Sequence, residues 1–596
     1  MDFEELSFKL KPLFEDEFAS RISKDPSLVT HAVASLSDLA VRLREPRNRD
    51  ILRESGILQQ LLNLLSQVLD GSYSSSSVMQ VGGEIVRCLA NCLADNDHNR
   101  TFFMSHIFTP TATLREQFRS IFKFKDQEGA QVDVDVKFYL TALVKNLCLG
   151  NEEYTRKCSS EFTGVLFEVL EHKHENSERG IELVIMTADL LSDFVESSHQ
   201  SVAVGQLAQL AKLLNETAPK AGFVVNPNEE EEDEDEDAYG ELVQLLSDII
   251  EKVVSRNEVL DFSNESVTHQ LQARLLEALS TLEVKESLEN KLIILRRLVS
   301  IIGHVSASRS NSNLQDRQLC YKVLTTDYKS YAVAAALIVL SNSVSSRDAA
   351  NDVSRQITLS SLIRRCQAFQ DPMQFQGLLD LLKKLINLSN AHELTDADLS
   401  LLYLELKTCH DQCQYFQSLS PLLDSLLIKL AAVLPGTVLR GALDQNENFK
   451  TVICERGGTA ACLLVDKLAV QKRQEDEDIL SKLWNSIFQF KDTSTTNPGE
   501  LSSSFFFQLM KTLGIYLRSR DVNLPNSLFV SHCNQISQLL HAVEPLKGKQ
   551  DSASLSIHNN ARFVAGMTIN ILKDKVLTTE EIQLRDSATK LLVPES

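Results

Sequence analysis

The 596-residue chain has few of the residues that interrupt regular structure, with 21 glycines and 13 prolines, and only 6% of it is aromatic. So little turn-forming material excludes a turn-rich all-β chain of this length and leaves helix as the expected state. Positive charge is also scarce. With 60 Lys and Arg against 81 Asp and Glu, the formal net charge is −21. That balance disfavours nucleic acid, whose phosphates require a basic face, and favours a cationic partner or plain solubility. No uninterrupted apolar run reaches the roughly 18 residues of a membrane-spanning helix. The opening, Met1 to Leu6, is acidic where a signal or transit peptide would be basic, so a cytoplasmic protein without a leader is expected. The eleven cysteines are odd in number and scattered through apolar stretches, the pattern of reduced, buried thiols rather than of a disulfide framework.

Motifs that carry chemistry are missing too. Neither common phosphate-cradling glycine loop occurs, nor a Gly-x-Ser-x-Gly elbow, nor a His-Glu-x-x-His helix. Cys88 with Cys92 and Cys409 with Cys413 each place two sulfurs one helical turn apart. Neither pair has the second paired cluster that zinc sites show, so core thiols are the simpler reading and no metal or cofactor is expected. A non-catalytic protein follows.

What the chain does contain is a recurring helical pattern. Residues Glu84 to Arg100 form an apolar helical stretch with Asn91 near its end, followed by a polar step at Asp95, Asn96 and Asp97. Leu143 to Arg156 repeats it at an offset of 55, with Asn146 in the place of Asn91 and Glu152 and Glu153 in the following polar step. Upstream, Asn48 and Arg49 take the slot of Asn99 and Arg100. Downstream, Asn342 and Asn387 end two similar apolar runs 45 residues apart, and Asn570 ends another. Recurrence at about 40–55 residues predicts an all-α, right-handed solenoid of armadillo or HEAT type, because a repeat of that length is one helical unit that needs neighbours to bury its apolar face.

Nine consecutive carboxylates interrupt the pattern: Glu229, Glu230, Glu231, Glu232, Asp233, Glu234, Asp235, Glu236 and Asp237. Such a block repels itself and reads as a disordered acidic insertion. The expected organisation is therefore helical repeats over 1–218, an acidic loop over 219–240, and further repeats over 241–596 in a continuous solenoid. Gly82 and Gly83 are expected to precede the helix that carries Asn91. Arg296 and Arg297, inside an otherwise apolar helix, read as solvated edge residues. Two roles are open for each repeat asparagine. Its amide can grip the extended backbone of a ligand on the concave face, or bond a neighbouring helix and hold the stack. The acidic block either draws in a basic tail or solubilises a surface loop.

The stretch Arg87 to Arg100 resembles the armadillo repeats of SmgGDS, the dissociation stimulator and chaperone of small GTPases. More closely, the blocks Leu39–Asp50, Lys291–Leu298, Tyr331–Leu337, Asp371–Gly377, Leu483–Phe488 and Gly514–Leu517 resemble, in the same order, a fungal family of bud-emergence proteins of that SmgGDS-like kind. The resemblance spans nearly the whole chain. It implies a scaffold that binds Rho-family small GTPases, those of the Cdc42 kind among them, and supports polarity, bud emergence and signalling in the cytoplasm and at sites of polarised growth. It also implies that an acidic surface takes the GTPase's polybasic tail, that a groove can hold its prenyl group, and that exchange factors or kinases of polarity pathways are further partners. The residues matched to a GTPase-facing surface are Asn91, Asp95, Asp97, Asn146, Glu152 and Glu153, with Asn342 and Asn387 in the later repeats. Two other roles stay open: a guanine-nucleotide exchange factor or chaperone for prenylated GTPases, and an importin-like transport adaptor, against which the single Trp484 argues.

Overall fold

The computed structural model describes residues 8–15, 18–22, 25–69, 76–108, 113–123, 130–171, 177–197, 202–222, 237–256, 260–309, 314–326, 330–387, 393–395, 397–398, 400–401, 404–405, 419, 422, 426, 429–430, 458–471, 477–489, 503–519, 527–546 and 551–593. Among these the regular structure is all helix. The chain divides into two compact units, Met1–Ala335 and Ala336–Ser596.

The first unit begins with a short 3-10 turn at Lys11–Phe14 and the helices α1 (Phe18–Ile22) and α2 (Pro26–Arg42). Two three-helix repeats follow. The first is α3 (Pro46–Glu54), α4 (Ile57–Leu69) and α5 (Ser76–Leu93), and the second is α6 (Asp97–Ile107), α7 (Leu114–Lys123) and α8 (Ala130–Cys148). After them the short leading helix is dropped and the repeats become helix pairs. These are α9 (Glu152–Glu171) with α10 (Glu178–Ser197), α11 (Val204–Thr217) with α12 (Ala238–Ser255), and α13 (Glu265–Glu283) with α14 (Lys291–Ala307). The helix α15 (Leu314–Thr325) comes next, and α16 (Ser330–Ser343) crosses the boundary between the units.

Packing sorts these helices into two rows: α2, α5, α8, α10, α12 and α14 lie side by side in one, and α4, α7, α9, α11, α13 and α15 in the other. Each row buries its apolar stripe against the other, which is how a chain too long for one compact core keeps every helix on a core. Three-helix units of this kind are armadillo-like and the paired ones HEAT-like, so the expected helical-repeat fold holds for this unit. The division suggested at 219–240 falls inside the unit, since α12 packs on both α10 and α11. In that place the chain has a long connection within one helix pair, between α11 and α12.

Caps set many of the boundaries. Asn96 accepts from the backbone N–H of Asn99 at 3.0 Å to start α6, and Asn151 does the same for Tyr154 at 3.1 Å to start α9. Pro46 sits in the first turn of α3, where its missing donor costs nothing, and that helix was not foreseen from the spacing of apolar residues.

In the second unit α17 (Arg347–Gln356), α18 (Leu359–Arg365) and α19 (Pro372–Leu385) come first. The start of α19 is a capping box. Asp371 accepts from Met373 N–H at 2.9 Å, and Gln374 accepts from Asp371 N–H at 3.0 Å. Six further helices repeat the two-row arrangement: α20 (Gly458–Gln471), α22 (Ser503–Ser519) and α24 (Ser552–Leu572) in one row, α21 (Glu477–Gln489), α23 (Ser527–Val543) and α25 (Thr579–Leu592) in the other. Trp484 is buried there between Phe488 and Tyr516. Among the described residues the free cysteines are all buried, and burial pushes the Cys92 and Cys320 thiols up to about 12. Cys409 and Cys413 lie outside the described residues.

The pair Gly82 and Gly83 departs from expectation. Both lie inside α5, not before it, and both are buried. A Cβ on Gly83 would stand 2.8 Å from Cγ2 of Val136 on α8, so glycine is what lets these two helices approach. We expect Gly83→Ala to lower stability by about 1–3 kcal/mol through overpacking, in excess of the roughly 1 kcal/mol gained in helix propensity. Gly164→Ala on α9 meets nothing within 4 Å and should be neutral or stabilising. Thermal unfolding of both variants checks the pair; equal effects would remove the steric argument.

Candidate partner-binding face

The row that begins at α2 is locked at its loop edge by residues of the repeat pattern. Asn91 on α5 donates to the carbonyl of Ala40 on α2 at 2.8 Å, and Asn146 on α8 donates to the carbonyl of Ala90 on α5 at 3.0 Å. Arg49 and Arg100 form a second set of bonds. The Arg49 guanidinium donates to Leu43 O at 2.9 Å and Arg44 O at 3.1 Å, and reaches forward to Ala94 O. Arg100 donates to Leu93 O at 3.1 Å and reaches forward to Leu149 O at 3.0 Å. Each arginine therefore satisfies orphan carbonyls at the C-terminal ends of two successive row helices, where a cation also complements the helix dipole. The alignment of Asn48–Arg49 with Asn99–Arg100 thus has one geometric meaning for the two arginines. Both are only 7% exposed.

The matched residues consequently divide. Asn91 and Asn146 spend their amide donors on the stack, and are half-buried. Asp95 occupies the left-handed region at φ 48°, the slot that Gly150 fills at φ 73° in the next repeat, so it is a turn residue with an exposed side chain 3.9 Å from Arg49. Asp97 lies in the first turn of α6, 2.9 Å from Arg100. Glu152 and Glu153 lie in the first turn of α9, Glu153 bonding Lys157 at 2.7 Å. All three carboxylates are exposed and complement helix N-termini. Asn342 is half-buried in the last turn of α16, and Asn387, just past α19, donates back to Leu385 O at 3.2 Å. Asn570 is exposed on α24. The asparagine bond from one row helix to the previous one is seen at Asn91 and Asn146.

Of the acidic block, Glu229 to Glu236 lie outside the described residues. Asp237 is structured, which corrects its assignment to a disordered loop. Its carboxylate accepts from Gly240 N–H at 2.9 Å as the N-cap of α12 and from Gly222 N–H at 2.6 Å, tying the two ends of the insertion together. A Cβ on Gly240 would stand 2.3 Å from this carboxylate, so the cap depends on glycine there.

One and two helical turns back from Asn91 and Asn146, the same row carries a charged and aromatic face that the sequence reading missed. Glu84 and Arg87 on α5 pair at 3.3 Å. Arg87 lies 5.6 Å from the ring centre of Tyr139 on α8, and Arg179 on α10 lies 4.3 Å from that of Phe138. Arg179 also pairs with Asp135 at 3.3 Å and Glu182 at 2.8 Å. Further along, Lys145 meets Asp189, Lys252 bridges Glu196 at 2.9 Å and Asp248 at 3.0 Å, and Arg297 on α14 reaches Asp248 at 3.2 Å and Glu251 at 2.8 Å. Arg297 is thus a cross-helix tie, 16% exposed, rather than a solvated edge residue.

Two carboxylates here are made harder to ionise. Burial raises the Glu84 pKa above its ordinary 4.5 despite Arg87. Burial, then the neighbouring Asp189, raises that of Asp193 above 3.8, against Lys145 and Lys252. A face with partly desolvated anions and half-buried aromatic rings is suited to take a cationic, partly apolar surface of a partner. The signal that would have found it is helical spacing: Glu84 and Arg87 stand seven and four residues before Asn91, and Tyr139 seven before Asn146.

Two family models match the chain, and they meet at a different place from the two compact units. A BEM4 N-terminal domain model matches residues 1–254 and a BEM4 C-terminal domain model residues 273–591. A curated relative, "GTPase-GDP dissociation stimulator BEM4" of Saccharomyces cerevisiae, is 32% identical over 631 aligned residues, covering 98% of this chain and 99% of its own. Among solved structures, one of SYS-1 aligns at 11% identity with TM-score 0.47 over 99% of this chain and 100% of its own. Another, from work on a phosphorylation switch in the interaction between cadherin and beta-catenin, aligns at 12% identity with TM-score 0.43, covering 96% and 97%. Kap121p aligns at 12% identity with TM-score 0.36, covering 96% of this chain and 55% of its own.

The lock predicts where stability resides. Asn91→Ala and Asn146→Ala should each lower stability by about 1 kcal/mol, and Arg100→Met, which strands buried carbonyls, by about 3 kcal/mol. Asn570→Ala should stay within about 0.5 kcal/mol. Urea titration monitored by circular dichroism measures all four, and an Arg100→Met protein as stable as the parent would refute the lock.

Proposed function

The chain belongs to the BEM4 family, and from that premise we propose that it is a non-catalytic binding protein for Rho-type small GTPases. The GTPase sits against the charged and aromatic face that runs from Glu84 to Asp248, with its basic tail drawn in by the carboxylates. The observation that carries this reading is the run of acids along that face, the half-buried Glu84 and Asp189 and the exposed Asp193 and Glu196 among them, in a chain whose full-length relative is named as a GTPase-GDP dissociation stimulator. A basic tail brings the charge those carboxylates lack, and the rings of Phe138 and Tyr139 offer apolar contact beside it.

At the loop edge of the same row, Asp95, Asp97, Glu152 and Glu153 extend the acidic surface, Asp95 and Asp97 beside the lock arginines Arg49 and Arg100. Their role is electrostatic, each exposed contact contributing about 1 kcal/mol or less. The carboxylates 229–236 join them in speeding encounter, and Asn342 and Asn387 belong to a separate surface in the second unit. Cytoplasmic residence, recruitment to sites of polarised growth, and contact with exchange factors or kinases of polarity signalling are the setting this reading implies. Among the described residues no helix is long and apolar enough to cross a membrane.

A second reading, favoured by the relative's printed name, is that binding also speeds GDP release or chaperones the prenylated GTPase. It requires that the face hold the nucleotide-free state more tightly than the GDP-bound one. An importin-like adaptor is disfavoured, since Trp484 is 1% exposed and serves no concave array.

The binding reading is tested by calorimetry of the full-length protein with Rho-type GTPases, prenylated or not, with and without their basic tails. Binding is expected to depend on the tail, to weaken as salt rises through the range where exposed charges are screened, and to weaken in Asp189→Asn and Asp193→Asn by about three- to tenfold each. No affinity for any Rho-type GTPase would end the proposal. Accelerated release of a fluorescent GDP analogue would establish the second reading.

The pH dependence has a defined sign. Because the free Asp193 carboxyl has a raised pKa and a bound cation lowers it, binding releases protons. Affinity should therefore fall on acidification at a pH above the ordinary aspartate value of 3.8, and Asp193→Asn should reduce that fall. A pH profile identical in the variant would assign the effect elsewhere.

A further inference from the structure

The second unit holds a cleft of about 470 Å³ whose electrostatic character is opposite to that of the chain. Arg347, Lys384 and Lys429 line it, together with the hydroxyls of Ser345 and Ser346 and the amide of Asn387. Val344, Ala350 and Ile386 supply apolar wall. Three chain segments contribute these residues: the turn into α17, the end of α19, and Lys429 from much later in the sequence.

The compensation of these cations is incomplete. Lys384 pairs with Asp380 at 3.1 Å and donates to Ser341 O at 2.7 Å. Arg347 has no ion pair among the described residues, and the nearby acid in its own turn, Asp348, is a first-turn residue of α17. Burial, then the charge of Lys383, holds Lys429 below the ordinary lysine value of 10.5. Four positive side chains, counting Lys383, therefore gather about one recess in a protein of net charge −21. Clustered cations that destabilise one another gain from an anion that neutralises them, and side-chain hydroxyl and amide groups add donors that a phosphate oxygen can use.

We propose that this cleft binds a phosphorylated serine or threonine of a partner protein, held by Arg347 and Lys429, with Lys384, Ser345, Ser346 and Asn387 around the phosphate. The shape favours a side chain on a peptide. A recess of this volume lies within the range of ligand pockets, about 300–1,000 Å³, whereas a bilayer or a duplex needs a broad basic face that a chain of this charge does not carry. The apolar wall from Val344 and Ile386 gives the residues flanking the phosphate a surface to rest on. The site belongs to the second unit and does not depend on the GTPase-binding reading.

The test uses the full-length protein and a fluorescent peptide pool with one fixed phosphoserine, beside the same pool with serine, read by anisotropy. The phosphorylated pool should bind at least about tenfold more tightly, and Arg347→Ala and Lys429→Ala should each remove about that factor. Arg347→Lys and Lys429→Arg should restore part of the affinity, which separates loss of charge from loss of fold, and melting curves of all variants should match the parent. Equal binding of the two pools overturns the proposal. So does unchanged affinity in the alanine variants, as does uptake by vesicles containing phosphoinositide through these residues without peptide binding.

Discussion

Stacked helices end in carbonyls that have no partner of their own, and the first unit is built on how those carbonyls are met. A helix leaves about four acceptors unsatisfied at its C-terminal end. In a solenoid these ends crowd together at one edge of a row. Arg49 and Arg100 answer this by donating backward to the end of the row helix just before them and forward to that of the next. The asparagine amides of Asn91 and Asn146 add a bond from each row helix to the carbonyl of its predecessor. Register between repeats follows from these few polar bonds, whereas the apolar core fixes only that the helices pack.

That arrangement separates structure from recognition along a single helix. On α5 the last turns, around Asn91, hold the stack, while Glu84 and Arg87 one and two turns earlier remain on an open face with Tyr139 from the next repeat. The division has a physical reason. Polar groups at the crowded edge must be satisfied internally, because an unmade bond there costs about 1–3 kcal/mol, and groups farther back are free to exchange internal pairs for a partner's. The ion pair of Lys252 with Glu196 between α12 and α10 is partly exposed and worth little by itself, so substituting a partner's cation there is energetically cheap.

Much of this was legible in the residues. Scarcity of glycine and proline, leucine spacing and recurrence at 55 residues were enough for a helical repeat protein, because helix and repeat are both local, periodic properties of sequence. The caps at Asn96 and Asn151 lay within what the sequence showed only as a polar step, although a cap is decided within four residues. The helix α3 was not seen, since nine residues carry too little periodicity, and Gly82–Gly83 read as a break because a close approach to Val136 is invisible from one helix alone.

The sequence by itself determined the helical state, the repeat, the acidity and the place of the insertion, all of which depend on near neighbours in the chain. Only the tertiary structure decided which polar groups are spent and which are available. Asn91 bonds a carbonyl 51 residues away, Arg297 ties to acids 46 and 49 residues away, and Asp237 caps a helix instead of joining its acidic neighbours. A hydrogen bond depends on distance in space, and no spacing along the chain reports whether a partner carbonyl lies 3 Å off or the side chain faces water.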